Sequence, residues 1–354
     1  MFATGGWKVK SGHTLEKVMS RISKQLIGAT IAGLAFTVAA HAADFNLRLG
    51  SLDPTTTAKH RGLIKASELI KERTNGNVVI TVYPSSQLGN AREMTEAVQL
   101  GSLDAVINPA SFLGGFDPAV AIFDIPYLFP TNADLARKLR NGPFGDAVLD
   151  TFRKRGFEPI ALWYGGWKVF SSNKPIANVQ DFAGQRFRVM DSKILMQQFA
   201  SLKASAITLP FGELYTSLQN GVIDGQENPI DIIERMKFFE VQKNVVVSDH
   251  GAIVEVILFS PAVWKKLPEN YRKIVFDAFR EVAIEVEQGK QLDAKNSLEF
   301  LKKAGLNVRI PDSSEEKRMH DTMFPAARDA FVAMAGDEGK KLMVVYEEQM
   351  KSIK

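Results

Sequence analysis

The pattern of hydrophobic and polar positions along residues 182–229 switches several times between the two-residue period of a strand and the 3.6-residue period of a helix. The predicted elements are strands over residues 186–189 and 206–209, helices over 192–202 and 211–220, and a closing polar run over 226–229, which together give a β-α-β-α-β order. This alternation is typical of a parallel sheet with crossover helices. Small ligands bind at the carboxyl ends of the strands in such sheets, so Arg188 and Asn228, at or just past two such ends, are candidate binding residues.

The same alternation precedes this stretch and predicts a first α/β lobe. The predicted strands cover residues 44–51, 78–83, 105–108 and 157–163, and the predicted helices cover about 55–73, 90–100, 132–141 and 145–155. Tyr164, Gly165 and Gly166 then favour a crossing between two lobes, because the chain continues in an extended pattern over residues 167–171.

The pattern after residue 244 predicts a return to the first lobe and then long helices. Residues 245–259 read as strand material broken at 249–251, and Pro268 opens a helical pattern that continues to about Lys303. A helix of that length measures on the order of 50 Å and is too long for one small lobe. The charged segment from Ser313 to the end is predicted to be helical, with an interruption near Gly336.

These elements define a domain prediction. Lobe I comprises residues 43–165, with 254–293 returning to it, and lobe II comprises 166–253, with 294–354 packing on it. The expected fold class is α/β, with two lobes, a hinge cleft between them and a long helix that spans both lobes. About 312 residues after the amino-terminal segment suit two lobes better than one core.

The first 42 residues are predicted to be a secretory signal peptide. Lys17, Arg21 and Lys24 precede an apolar run over residues 26–40, and the tripeptide at 40–42 (AHA) fits the small-x-small cleavage pattern. The run is shorter than the roughly 20 residues of a membrane-spanning helix. The prediction is therefore a mature protein that begins at Ala43 and is free in the periplasm.

The amino-acid composition argues against several classes of function. The chain has 44 basic and 40 acidic residues, and the first 42 residues hold five of the former and one of the latter, which leaves 39 of each sign. Zero net charge gives no case for a nucleic-acid partner. The absence of cysteine excludes disulfides, thiolate metal sites and a lipid-anchored amino terminus. No metal site, cofactor or catalytic motif is predicted, so the chain is interpreted as a non-enzyme.

Two arginines carry the candidate chemistry. Arg186 and Arg188 share one face of a predicted strand. A guanidinium presents two parallel N–H donors that match the two oxygens of a carboxylate. Either a ligand carboxylate or an internal salt bridge, with Glu213 or Glu227, accounts for such a pair equally well.

Three motifs at matching spacing resemble the solute-binding proteins of tripartite ATP-independent periplasmic (TRAP) transporters, the DctP-type family. They are residues 184–189 (GQRFRV), 211–215 (FGELY) and 224–229 (DGQENP). The resemblance continues in residues 83–89 (YPSSQLG) and 123–129 (FDIPYLF) and covers most of the chain after the signal segment.

The resemblance implies roles for individual residues. Arg188 matches the arginine that binds the ligand carboxylate in this family, and Asn228 matches a position that hydrogen-bonds the ligand. Phe211 matches an aromatic wall of the pocket, and Asp191 matches a position that varies with specificity. Lys168 stands where many relatives carry a second arginine, and its ammonium lacks the arginine's planar fork. An exposed lysine with no contact to ligand is the alternative.

Three further residues are candidates from their position in the chain. Asn108 and Ser111 follow a predicted strand end of the first lobe, and Trp167 flanks the predicted crossing. Relatives that bind sialic acid carry an acid and an arginine where this chain has Pro109 and Phe112, so a sialic acid ligand is not expected.

The predicted function is capture of a small organic acid, such as a C4-dicarboxylate, and its delivery to the small and large permease subunits of a TRAP transporter. The chain is expected to act as a monomer. A binding protein of an ATP-driven importer or of a sensor system is the alternative, and a secreted hydrolase or lyase is the rival from another class.

Overall fold

The computed structural model describes residues 43–353, so the predicted signal peptide lies outside the described residues. The elements of the first part of the chain follow in order: β1 (Phe45–Ser51), α1 (Ala58–Arg73), β2 (Val78–Tyr83), α2 (Ala91–Leu100), β3 (Ala105–Pro109), α3 (Ala133–Arg140), α4 (Pro143–Arg153) and β4 (Glu158–Ser172). Short 3₁₀ turns over Ala110–Phe112 and Pro118–Asp124 follow β3.

The second part of the chain contributes the remaining elements, which are again given in order. They are β5 (Arg186–Val189), α5 (Lys193–Ser201), β6 (Ser205–Thr208), α6 (Leu214–Gln219), β7 (Gly225–Pro229), α7 (Ile230–Arg235), β8 (Asn244–Phe259), α8 (Pro261–Trp264), α9 (Glu269–Lys303), β9 (Asn307–Arg309) and α10 (Ser313–Ile353).

Within residues 43–353, nine strands form one sheet in the order β2-β1-β3-β8-β4-β7-β5-β6, and β9 pairs with β8. The strands β1, β2 and β3 run parallel to one another, as do β5, β6 and β7. The long strands β4 and β8 lie between these two groups and run antiparallel to each other. The sheet therefore has two parallel halves joined by one antiparallel pair.

In this topology the strands of both parallel halves have their carboxyl ends near the central pair, β4 and β8. Pro109, at the carboxyl end of β3, pairs with Glu255 of β8. Pro229, at the carboxyl end of β7, pairs with Lys168 of β4, which in turn pairs with Gly251 of β8. The two rows lie four residues apart on β8, roughly 13 Å at 3.3 Å per residue. The carboxyl ends of both halves thus border a space of the size of a small ligand.

Helix α9 spans 35 residues, as predicted, and contacts elements of both halves. The indole N–H of Trp163, in β4, donates a hydrogen bond of 2.8 Å to the carbonyl of Phe279. Further along the helix, Lys290 forms a 2.5 Å ion pair with Asp231 of α7. Among the helices of residues 43–353, none is both long and apolar enough to cross a bilayer.

The predicted crossing lies inside β4, at Gly165 and Gly166. Gly166 has φ of +117°, a conformation that residues with a side chain rarely adopt. A Cβ at this position would also lie 2.8 Å from the Cβ of Pro229. The close approach of β7 to β4 therefore depends on this glycine.

The predicted break at residues 249–251 takes the form of a bulge, and β8 continues through it. Its pairing with β4 shifts from Lys168–Gly251 to Phe170–Val246, and Asp249 in the bulge has φ of +42°.

The polar run over residues 226–229 lies in the last strand of the predicted alternation, β7. This strand is fully buried, and its polar side chains form hydrogen bonds inside the protein.

Helix α10 is interrupted at Gly336 (φ +59°, ψ −137°), as the sequence predicts. Near its end, the Tyr346 hydroxyl donates to the carbonyl of Leu128 at 2.8 Å, and the Gln349 side chain accepts from the backbone N–H of Phe144 at 2.7 Å. This last part of the chain therefore contacts residues of the predicted lobe I. The division into lobes at the predicted boundaries stays a prediction.

Candidate functional site

A cavity of about 380 Å³ lies where the carboxyl ends of the two parallel halves face each other. Three residues predicted from the sequence or the resemblance line it: Arg188, Phe211 and Asn228. The other lining residues are Leu52, Asp53, Pro109, Phe112, Gly165, Met190, Pro229, Ile232, Ile253 and Glu255. The walls are thus mostly apolar, with charges of both signs.

The Arg188 side chain is almost completely buried, at 1 % exposure. Its Nε and Nη2 donate to the Leu209 carbonyl at 3.0 and 2.8 Å, which fixes the guanidinium beside the end of β6. Its Cζ lies 5.8 Å from the centroid of the Phe112 ring, within the range of a cation–π interaction. Burial lowers the pKa of Arg188 to about 10, although Glu227 opposes this shift, and the group stays a cation at neutral pH.

No carboxylate of residues 43–353 lies within ion-pair distance of Arg188. Arg186, two residues earlier on the same strand, is half-exposed and forms a 3.1 Å ion pair with Asp224. Arg186 therefore forms an internal salt bridge, but its partner is Asp224 and neither Glu213 nor Glu227, the two partners considered from the sequence. Because a buried charge without an opposite charge is unfavourable, the guanidinium of Arg188 is suited to an anion that enters the cavity.

Glu227 is the centre of a buried hydrogen-bond network behind this arginine. Its Oε1 accepts from Lys168 Nζ at 2.7 Å, and its Oε2 is 2.8 Å from both Gln198 Nε2 and His250 Nε2. Burial by itself would raise the pKa of the Glu227 carboxyl, but Lys168 and His250 outweigh it and hold the pKa well below its usual range. Burial lowers the pKa of His250, which stacks on Phe170 with ring centroids 3.9 Å apart.

Lys168 is therefore neither exposed nor part of the cavity lining. Its ammonium is buried and paired with Glu227. Asn228 donates from Nδ2 to the Oε1 of Gln226 and presents its side chain to the cavity. Direct contact of Lys168 with a ligand stays a prediction.

A second charged group lies on the other wall, contributed by the segment that follows β1 and by α1 and β8. Lys59 Nζ is 2.8 Å from Asp53 Oδ1 and 2.8 Å from Glu255 Oε1. Burial would lower the pKa of Lys59, but the two carboxylates raise it to about 12. Burial and the nearby Asp53 raise the pKa of Glu255 against the opposing effect of Lys59. Asp53 and Glu255 both line the cavity.

A neighbouring, more open cavity of about 710 Å³ shares Leu52, Phe112 and Phe211 with the first. Asp191, the predicted specificity position, is exposed and lines this second cavity. Polar groups of the first half, among them Asn90 and Arg92, lie on its other side. The arrangement resembles a vestibule that leads to the inner cavity.

Besides Lys168, three predicted residues line neither cavity. Asn108 is buried and donates to the Ala91 carbonyl at 3.1 Å and to Thr95 Oγ1 at 3.0 Å. Ser111 donates to Asp124, and Trp167 packs edge-on against Tyr164 with ring centroids 6.2 Å apart. Their roles as ligand contacts stay predictions.

Sequence reasoning missed Asp53, Lys59 and Glu255. The signal for Asp53 was available, because it follows the carboxyl end of a predicted strand. Lys59 and Glu255 lie 196 residues apart in the chain and come together only in the folded protein, where β8 pairs with β3 of the first half. Within residues 43–353, no three His, Asp or Glu side chains are grouped to hold a metal ion.

Comparison with known proteins gives consistent matches over most of the chain. Residues 49–333 match the family described as bacterial extracellular solute-binding protein, family 7 (DctP). The C4-dicarboxylate-binding periplasmic protein DctP of Rhodobacter capsulatus is 31 % identical over 322 residues, which cover 90 % of this chain and 96 % of that protein.

Two solved structures give similar results. A TRAP periplasmic solute-binding protein from Desulfovibrio salexigens with bound orotic acid is 50 % identical and superposes with a TM-score of 0.87, covering 88 % of this chain and all of that one. Another, from Sulfurospirillum deleyianum with bound succinate, is 30 % identical with a TM-score of 0.79, covering 86 % and 100 %. The predicted fold class, that of two-lobed periplasmic binding proteins, is confirmed.

Proposed function

Because this chain belongs to the bacterial extracellular solute-binding proteins of family 7, we propose that it captures a small organic acid as its carboxylate at Arg188 and delivers it to the membrane subunits of a TRAP transporter. The relatives are solute-binding proteins, so the proposed role is binding without turnover. The relatives are periplasmic, and the predicted signal peptide over residues 1–42 would place this chain in the same compartment.

One observation carries the proposal: the guanidinium of Arg188 is buried, borders the cavity and has no carboxylate partner among residues 43–353. Two of its nitrogens bind the Leu209 carbonyl, which orients the guanidinium without neutralising it. A ligand carboxylate supplies the missing charge and the matching bidentate geometry.

The first candidate ligand is orotate, which the Desulfovibrio salexigens protein holds in its crystal structure. The cavity has apolar and aromatic walls, among them Phe112, Phe211, Met190 and Ile253, which suit a flat ring. Succinate, held by the relative from Sulfurospirillum deleyianum, is the alternative from the same family.

The mechanism we propose is closure of two lobes, residues 43–165 and 166–253, around the bound acid. Strands β4 and β8 connect the lobes, and Gly166 lies at the crossing. The ligand favours the closed state because only there do Arg188 and the opposite wall contact it together. We further propose Asn228 and Phe211 as ligand contacts beside Arg188, and Asp191 as a contact in the vestibule.

A stability measurement tests the function. Protein purified from periplasm should melt at a higher temperature with orotate or another small carboxylate, because a ligand that binds only the folded state stabilises it by about 4 kcal/mol at 1,000 times its Kd. Native mass spectrometry of the same sample identifies any retained acid. Absence of a shift across a broad library of acids, or chemical conversion of the active acid, contradicts the proposal.

Membership of the family leaves the identity of the membrane partner to be tested. A binding protein for an ATP-driven importer or a sensor also closes around its ligand. Co-purification of the closed, acid-bound protein with its permease subunits supports TRAP transport, and association with an ATPase component favours the alternative.

A further inference from the structure

The two walls of the cavity carry charges of opposite sign. Arg188 on one wall is an unpaired cation among residues 43–353. On the opposite wall Lys59 is shared between Asp53 and Glu255, so this group of three carries one excess negative charge when both acids are ionised. A ligand whose carboxylate binds Arg188 therefore places its far end against an acidic wall.

Glu255 is the group on that wall with an unused hydrogen-bonding atom. Its side chain is 4 % exposed, and its Oε1 accepts from Lys59 at 2.8 Å. Its Oε2 is buried and has no hydrogen-bond partner among residues 43–353. Strand β8 holds the residue in place, because Glu255 pairs with Pro109 of β3 on one side and with Trp163 of β4 on the other.

A buried carboxylate oxygen without a donor is unfavourable, and the cavity is the space that Glu255 borders. The donor that satisfies Oε2 would then come from the ligand. The neighbouring carboxylate, Asp53, already binds Lys59 through its Oδ1. The free lone pairs of Oε2 suit an N–H or O–H group in a fixed direction from the carboxylate clamp.

We propose that Glu255 is the specificity-determining residue of this site, and that it selects monocarboxylates whose far end carries an N–H or O–H donor over acids with a second carboxylate there. The inference rests on the proposed function, since it assumes that Arg188 binds the acid. A second ligand carboxylate would lie against Glu255 and Asp53, and like charges at short range in a buried site repel each other.

The test is calorimetric titration of the full mature chain with two sets of acids. Orotate and erythronate are monocarboxylates with N–H or O–H donors, and fumarate and succinate are dicarboxylates without donors. We expect wild-type protein to bind one of the first set at least tenfold more tightly than either dicarboxylate. Glu255→Gln removes the negative charge and replaces one carboxylate oxygen with an NH₂ donor. It should therefore weaken binding of the preferred monocarboxylate by tenfold or more and strengthen binding of fumarate.

Glu348→Gln is the matched control, because it removes the same charge from an exposed position on α10. It should leave all four affinities unchanged. Ligand-free melting curves of Glu255→Gln report whether it folds, and Lys59 keeps Asp53 as its partner in this variant.

The possible results separate the inference from the function. A wild-type preference for fumarate or succinate overturns the inference without requiring a folded variant, and it leaves the carboxylate-binding function standing. Equal effects of Glu255→Gln on both sets of acids, or none, also overturn it. If neither set nor a broader acid library binds the wild-type protein, the proposed function fails and the inference fails with it.

Discussion

The guanidinium of Arg188 lies 5.8 Å from the ring of Phe112, and each residue comes from a different parallel half of the sheet. Arg188 lies on β5, and Phe112 lies in the turn directly after β3. Both line the cavity. This pair places a buried guanidinium of the cavity wall, which has no ion-pair partner among residues 43–353, against an apolar ring that limits its access to water. An anion bound there would be desolvated, and its interaction with Arg188 would be strong.

Arg188→Ala should weaken binding of the cognate acid far more than Arg186→Ala. Removing one member of a buried charge pair costs about 2–5 kcal/mol, or roughly 30-fold to several-thousand-fold in Kd. Arg188→Lys should recover part of this loss, because it keeps the charge without the planar fork. Calorimetric titration of the three variants measures the difference.

The ligand-free melting temperature provides the control for this prediction. Arg188→Ala should leave it nearly unchanged, because Arg188 has no ion-pair partner among residues 43–353 to leave behind. A sharp drop would assign Arg188 a structural role. Affinity close to wild type in a well-folded Arg188→Ala protein would contradict its assignment as the carboxylate clamp.

Glu227→Gln should destabilise the ligand-free protein by about 3–5 kcal/mol at pH 7, because it leaves the buried Lys168 ammonium without its ion-pair partner. Urea unfolding measures this loss. Glu281→Gln, which breaks a surface pair with Arg73, should cost no more than about 1 kcal/mol. Similar costs for the two variants would show that the Glu227 network contributes little.

The same variant has a pH signature. The pKa of Glu227 is lower in the folded protein than its ordinary value of 4.5. Its contribution to stability is therefore complete above pH 4.5 and is lost as the pH falls below that value towards the native pKa. The difference between wild type and Glu227→Gln should shrink over this range, and a constant difference down to pH 3 would contradict the assignment.

His250→Gln should reduce the loss of stability on mild acidification. Burial lowers the pKa of His250 in the folded protein below its ordinary 6.5, so the unfolded chain binds a proton first as the pH falls. Stability should then drop below pH 6.5 by up to about 1.4 kcal/mol per pH unit. Glutamine retains an N–H donor for Glu227 without titrating.

Denaturant unfolding between pH 7.5 and 5 measures the effect as the difference in unfolding free energy between wild type and His250→Gln. Asp249 has a raised pKa of about 6, which acts in the opposite direction, but it is present in both proteins and cancels in this difference. His320→Gln removes an exposed histidine and is the matched control. The prediction fails if His250→Gln and wild type show the same slope with pH.

The mature protein should begin at Ala43. Residues 40–42 (AHA) follow the apolar run over residues 26–40 and provide the small side chains of a cleavage site. Intact mass measurement on protein from the periplasmic fraction tests this expectation. A mass that includes the apolar run would contradict release into the periplasm.

The order of the elements, the long helix and the family could be predicted from the sequence. Each of these depends on local patterns: the two-residue and 3.6-residue periods and the motifs over residues 184–189 and 224–229. Local patterns also placed Arg188 and Asn228 at strand ends, where the cavity lies.

Which charges are paired could not be predicted from the sequence and follows from the tertiary contacts. Arg186 and Arg188 are both arginines, and their two-residue spacing predicts the same strand face for both. In the structure, Asp224 neutralises Arg186, and none of the described carboxylates neutralises Arg188. Glu255 and Lys59 form an ion pair although they lie far apart in the chain, because the fold places β8 beside the first half of the sheet. Burial and charge pairing depend on such long-range contacts, and local sequence patterns do not encode them.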